Sequence, residues 1–179
     1  MSQPRDAQPA KLVIGLLMNS KSSMPDVANE MVRAFGAIDL ISRWMDFDYT
    51  HYYAKEMGSP LYRRMVVFKA LIPQEAIGQI KLTTNAMEAR FAREGKRRVN
   101  IDPGYLLLER FVLATGKNFT HRIYIGSGIY ADLTLIFQHG DFRSLPWTYP
   151  DYRDGQMKSF LKQVRQKYAV DLRSQGTSD

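Results

Sequence analysis

The chain has 179 residues, 45% of them hydrophobic and 24% charged, with a formal net charge of +7. That length supports one domain with a sizeable core, and the composition excludes wholesale disorder, a collagen-like repeat and a coiled-coil rod. Cysteine is absent, so there is no disulfide framework, thiol nucleophile, thiolate zinc site or iron–sulfur cluster, and no apolar run approaches the roughly 20 residues of a membrane span.

Residues 1–10 are polar and hold two prolines, which reads as a short disordered lead rather than a signal or transit peptide. Residues 173–179 read as a matching tail, leaving 11–172 as one α+β domain in a reducing cytoplasm. Leu12 to Met18 is a continuous apolar run of strand length, the pattern of a strand buried on both faces. Pro25 and Asp26 open a helix with Val27, Met31, Ala34 and Phe35 on one face, and Gly36 ends it. Residues 38–47 read as a second strand broken by Arg43 and Asp46, and 64–71 as a third.

Pro73 takes the first position of a second helix and Gly95 sits just past its end. Ile77, Ile80, Thr84, Met87 and Phe91 form its packing stripe. Residues 98–101 suit a fourth strand, and Asp102-Pro103-Gly104 is a turn signal. Residues 105–115 are nearly all apolar, so periodicity leaves helix and strand equally open.

Two alternating runs flank Gly126-Ser127-Gly128, a β-hairpin. A three-residue loop places Ile125 opposite Ile129, Tyr124 opposite Tyr130, Ile123 opposite Ala131 and Arg122 opposite Asp132, which keeps like faces together. Residues 144–154, rich in aromatics and prolines, read as an ordered loop over the core. An amphipathic helix at 156–172 closes the chain, burying Phe160, Leu161, Val164 and Tyr168. The order strand, helix, strand, strand, helix, strand over 11–101 matches the split βαβ pattern, so the expected fold is a ferredoxin-like βαββαβ core with an added hairpin and C-terminal helix.

Strong enzyme signatures are missing. There is no GxxxxGK[ST] loop, no GxSxG elbow and no paired metal-binding histidine motif. Polar residues nevertheless gather in several places. Asp46 to Gly58 combines Asp48, His51 and Glu56 with Tyr49, Tyr52 and Tyr53; acid–base groups beside rings that stack on a flat ligand are one reading, and a solvated connection is the other. Lys81, Asn85 and Glu88 fall on one helix face, where surface ion pairing competes with projection into a cleft.

Arg90 to Arg98 is basic, which a helix C-terminus favours by itself. Asn100 to Tyr105 is explained by turn chemistry except for Asn100. Lys117, His121 and Arg122 stand close together in the loop leading into the hairpin and suit a phosphate or carboxylate. Trp147 to Tyr152 either closes over a ligand or plugs the end of the sheet.

Tyr52 to Gly58, Lys81 to Asn85, Asn100 to Tyr105, and His121 to Tyr124 with Trp147 to Tyr152 together resemble a bacterial family catalogued as domain-of-unknown-function family 4416. The likeness runs from about Lys11 to Tyr168. It implies one domain and a bacterial cytoplasmic origin, and carries no catalytic role onto any residue.

The leading expectation is therefore a cleft for a small anionic ligand, nucleotide-like or phosphorylated, with or without catalysis. Its wall would be Tyr52, Tyr53 and Trp147, and its polar groups Lys81, Asn85, Asn100, Asp102, Lys117 and Arg122. Asp48, Glu56 and His121 are the acid–base candidates, with His121 the first general base and Mg²⁺ the natural ion for hydrolytic or phosphoryl-transfer chemistry. RNA or ribosome binding is the second reading, and a homo-oligomer without a ligand the third. The surplus charge is local: residues 81–98 hold six basic and two acidic groups, and 158–173 hold five and one.

Overall fold

A computed structural model describes residues 1–50 and 52–175. Strand β1 (Ala10–Met18) is buried at every position, as its unbroken apolar run predicts. After a short 3₁₀ turn, α1 (Met24–Phe35) starts with Pro25 in its first turn and stops at Gly36, whose φ of 86° ends the helix. The expected strand over 38–47 is two pieces, β2 (Ile38–Ile41) and β3 (Met45–Asp46). At the break the Ser42 hydroxyl accepts the Met65 N–H at 2.9 Å and so replaces a ladder bond.

A one-turn helix α2 (Ala54–Met57) precedes the long strand β4 (Tyr62–Ile72). Helix α3 (Ile77–Phe91) buries Ile77, Ile80, Thr84 and Met87 as its stripe requires, and also Lys81 and Glu88. It stops earlier than expected. Ala92 is extended, and Glu94 and Gly95 have φ of 52° and 72° in a tight turn bridging Arg93 and Lys96. Gly95 therefore serves a hairpin-like turn rather than a helix end.

The turn expected at Asp102-Pro103-Gly104 is not there: all three lie inside β5 (Val99–Leu106). The ladder to the next strand begins at Gly104, so one side of β5 is unpaired at Pro103, where a missing N–H is tolerated. The glycine is needed for close approach, since a Cβ at 104 would meet the Val112 carbonyl oxygen at 2.5 Å. The undecided stretch 105–115 is the end of β5, a turn, and β6 (Arg110–Thr115).

The hairpin consists of β7 (Arg122–Gly126) and β8 (Ile129–Gln138). Arg122, Ile123 and Tyr124 pair with Asp132, Ala131 and Tyr130 as expected, but Gly126 rather than Ile125 sits opposite Ile129. The loop is thus the two residues Ser127 and Gly128, both at positive φ, with a bulge beside it that restores the facing of the strands. The expected loop over 144–154 contains the end of β9 (Asp141–Ser144) and the short helix α4 (Pro150–Arg153). Helix α5 (Gly155–Gln175) runs past the expected end at 172; residues 176–179 of the expected tail lie outside the described residues. The expected lead is held at its end, where the Tyr168 hydroxyl donates to the Pro9 carbonyl at 2.6 Å.

Among the described residues the architecture is α+β, with one nine-stranded sheet in the order β2-β4-β1-β5-β6-β8-β7, β3 on β4 and β9 on β8. All pairings are antiparallel. Among the described residues the two halves of the sheet pair only where Gly104–Leu106 of β5 meet Phe111–Leu113 of β6. Beyond Leu113, β6 continues on β8 alone, while residues 99–102 of β5 continue on β1 alone. The sheet is therefore split at this seam, and a cavity occupies the opening.

Candidate functional site

The exposed backbone edge of β5 explains the buried polar face of α3. With β6 gone, the Ile101 N–H and C=O would be orphaned in the interior, at about 1–3 kcal/mol each. Glu88 accepts the Ile101 N–H at 2.7 Å, and Lys81 donates to the Ile101 carbonyl at 3.0 Å. Two side chains, two turns apart on α3, thus stand in for a missing strand. Burial pushes the Glu88 carboxyl above its ordinary range, against the pull of Lys81 and the Ile101 amide.

The cavity has a volume of about 660 Å³, within the range of small-molecule sites. Its inner wall is buried: Arg63 from β4, Lys81 and Glu88 from α3, Asn100 from β5, and Asp151 and Tyr152 from α4. Its mouth is formed by the exposed Tyr49, Tyr52, Tyr149, Asn85 and Lys117. Tyr53 is half-buried between these zones, and burial raises its phenol pKa, as it does for Tyr149 and Tyr152. These three phenols are neutral donors and acceptors at physiological pH.

Arg63 is the unusual residue. It is 5% exposed and lies over the Phe47 and Tyr152 rings, with centroids at 5.1 and 5.8 Å. Its Nη2 is 2.8 Å from Asp151 and its Nη1 is 3.5 Å from Asp102. Burial opposes its charge, but Asp151, Tyr152 and Asp102 more than offset that, so it stays a cation. Among the described residues its Nε and Nη1 have no hydrogen-bond acceptor, and the buried Tyr152 hydroxyl has no partner either. Space for both depends on Gly15, where a Cβ would meet the hydroxyl at 3.0 Å and Nη1 at 3.3 Å. Unpaired buried donors are rare enough to require an explanation. Asp151 Oδ2, 2.8 Å from Nη2, is likewise without an aligned hydrogen bond, so unsatisfied donors and an unsatisfied acceptor stand side by side here.

Around it Asp102, Glu56 and Asp132 are taken. Asp102 accepts the Asn100 amide at 2.6 Å and lies 3.5 Å from Lys81. Arg97 grips both oxygens of Glu56 at 2.8 and 2.7 Å and donates to Asn100 at 2.7 Å. That grip holds the Glu56 carboxyl below its ordinary range. Across the cavity Asp132 accepts from Arg122 at 2.9 Å, and Arg122 also donates to the Tyr149 hydroxyl. Lys117 donates to the Tyr52 hydroxyl at 3.1 Å and lies 4.5 Å from that ring, which lowers the phenol pKa.

The candidates from sequence thus divide. Tyr52, Tyr53, Lys81, Asn85, Asn100, Asp102 and Lys117 line one cavity. Glu56 and Arg122 lie just behind its wall and position Arg97, Tyr149 and Asp132, which do line it. His121 lies 3.0 Å from Asp132 and is stacked under Trp147 at 4.8 Å, so it reaches the cavity only through that carboxylate. Trp147 donates to the Leu133 carbonyl at 2.8 Å and fastens its segment to β8. Asp48 is exposed and off the cavity wall; His51 lies outside the described residues. Among the described residues no three His, Asp or Glu side chains are grouped as a metal ion requires.

Arg63 was missed from sequence, although one signal was available. Extending the third strand by one residue puts Arg63 on the face of Met65 and Val67, and an arginine on a buried strand face needs a reason.

The protein is thus an α+β protein whose antiparallel sheet is split around an aromatic, charge-lined cavity. The chain belongs to the family described as Domain of unknown function (DUF4416), whose model matches residues 8–168. Comparison with curated proteins and with solved structures gave no match. No helix among the described residues is long and apolar enough to cross a membrane.

Proposed function

We propose that the cavity binds a small, planar, anionic ligand of nucleotide size. The observation that carries this reading is the lining of the cavity, which sets the buried cation Arg63 among the rings of Phe47, Tyr53 and Tyr149. Nη2 is held by Asp151, and Nε–H and Nη1–H leave opposite edges of the guanidinium plane, so a carbonyl or ring-nitrogen acceptor on a flat heterocycle suits one of these donors. Phe47, Tyr53 and Tyr149 offer rings to the faces of the same heterocycle. Lys117, held by the Tyr52 ring and hydroxyl, supplies an exposed cation at the mouth for the anionic end.

The expected ferredoxin-like core belongs to the same reading. It is supported by the order β2-β4-β1-β5, with α1 and α3 in the crossovers. In that frame the hairpin and its neighbours form the second wall of the cavity. We assign binding to this site and no catalytic step.

Thermal unfolding with a panel of purine and pyrimidine nucleosides and their 5′-monophosphates tests the reading. At one hundred times Kd a ligand adds about 2.7 kcal/mol, which raises Tm by roughly 5–10 °C in a chain of this size. A panel that leaves Tm unchanged at millimolar concentration would set the reading aside.

A further inference from the structure

The charges lining the main cavity balance: Arg63, Lys81, Arg97 and Lys117 face Glu88, Asp102, Asp132 and Asp151. The positive surplus lies next door. A second groove of about 300 Å³ is formed by α2 and the 93–98 turn. Five cations line it, Lys55, Arg93, Lys96, Arg97 and Arg98, against the two carboxylates Glu56 and Glu94. Glu56 is already held by Arg97. Lys55, Arg93, Lys96 and Arg98 are exposed, and among the described residues none of them is in an ion pair.

The tight turn at Glu94 and Gly95 sets Arg93 and Lys96 across from each other, with Arg98 just beyond. Four unpaired cations around one small groove repel one another unless an anion joins them. Arg97 lines both the groove and the cavity, so the two are neighbours on either side of the Arg97–Glu56 pair.

We infer that this groove is a phosphate-chain subsite and that the ligand of the cavity is a nucleoside polyphosphate: its heterocycle faces Arg63 and the tyrosines, and its phosphates pass Arg97 to reach Arg93, Lys96 and Arg98. The inference rests on the reading of the cavity given above. The same chemistry is offered by a free nucleoside triphosphate and by the 5′-triphosphorylated end of a single-stranded RNA.

Calorimetric titration of the full chain with a nucleoside, its 5′-monophosphate, its 5′-triphosphate, inorganic tripolyphosphate and a short 5′-triphosphorylated RNA tests it. The triple variant Arg93→Ala, Lys96→Ala, Arg98→Ala removes only exposed side chains, and circular dichroism checks that it is folded. The expected results are affinity that rises with phosphate number, falls with salt, and drops about a hundredfold for the triphosphate in the triple variant. Nucleoside affinity stays unchanged in that variant. Tighter binding of the RNA end than of the triphosphate supports the subsite and makes the chain end its source.

Equal affinity for nucleoside and triphosphate, or a triple variant that binds triphosphate like the wild type, overturns the inference and leaves the cavity reading intact. Binding of inorganic tripolyphosphate without any nucleoside binding overturns the continuity of the two sites and the cavity reading with it.

Discussion

The seam between β5 and β6 sets where the cavity begins, and Gly104→Ala tests it. A Cβ at this position would lie 2.5 Å from the Val112 carbonyl oxygen, 3.0 Å from Leu113 Cδ2 and 3.1 Å from Phe111 Cζ. The first contact is with backbone and cannot be relieved by a rotamer change. The strands would have to part by about 1 Å across a seam of three residue pairs. Overpacking of this kind costs about 3 kcal/mol, equivalent to roughly 6–12 °C in Tm for a chain of this length. The control is Gly116→Ala, on the cavity wall with nothing within 4 Å of the added carbon, which should change stability by less than about 0.5 kcal/mol. Thermal and urea unfolding by circular dichroism measure both. A Gly104→Ala protein that melts within about 2 °C of the wild type would mean that the seam is not held at this distance and would remove the explanation for the opening.

Lys11 is fully buried between Asp39 at 2.6 Å and Asp171 at 2.7 Å, tying β1 to α5. Lys11→Met leaves two carboxylates that still reach water and keep Lys167, so urea unfolding should show a loss of about 2–3 kcal/mol, near the low end for a broken buried pair; a stabilised variant would show that desolvation of the pair outweighs its attraction. The Glu88 carboxyl titrates above its ordinary range because of burial, so its stabilising contribution is full at acid pH and is lost as pH rises through its folded pKa. Glu88→Gln keeps an acceptor for the Ile101 N–H, and the gap between wild type and variant should shift in favour of the variant on going from about pH 4 to pH 8. A gap that does not change with pH would contradict the placement of Glu88. Lys117→Gln should raise the titration midpoint of the Tyr52 phenol, which the Lys117 hydrogen bond and charge lower in the wild type, and ultraviolet difference titration against Tyr52→Phe isolates that band.

Local chemistry made much of the fold legible. The apolar run of β1, the stripe of α3, the hairpin pairing of Arg122 with Asp132 and the amphipathic α5 follow from residue types and spacing alone. The misreadings share a cause. Asp102-Pro103-Gly104 has turn composition, but its glycine serves a neighbouring strand and its proline an unpaired edge, both of which are long-range facts. Gly95 likewise belongs to a turn whose strands are only one residue long.

For the site, clusters in sequence found the cavity's mouth and the α3 face. They could not separate residues on the wall from those behind it, such as His121 and Glu56, because that depends on how far the two halves of the sheet diverge. Arg63 carried no cluster at all; only its place on a buried strand face marked it.

The central claim is that this cavity binds a ligand against Arg63 on its wall. The direct measurement is calorimetric titration of a nucleoside 5′-monophosphate into the wild type and into Arg63→Met, Asp151→Asn, the second change removing the carboxylate that the first would strand. With circular dichroism showing both proteins folded, the wild type should bind and the double variant should bind at least about tenfold more weakly. Equal affinity in the two proteins would show that Arg63 does not contact the ligand, and the cavity would lose the feature that defines it.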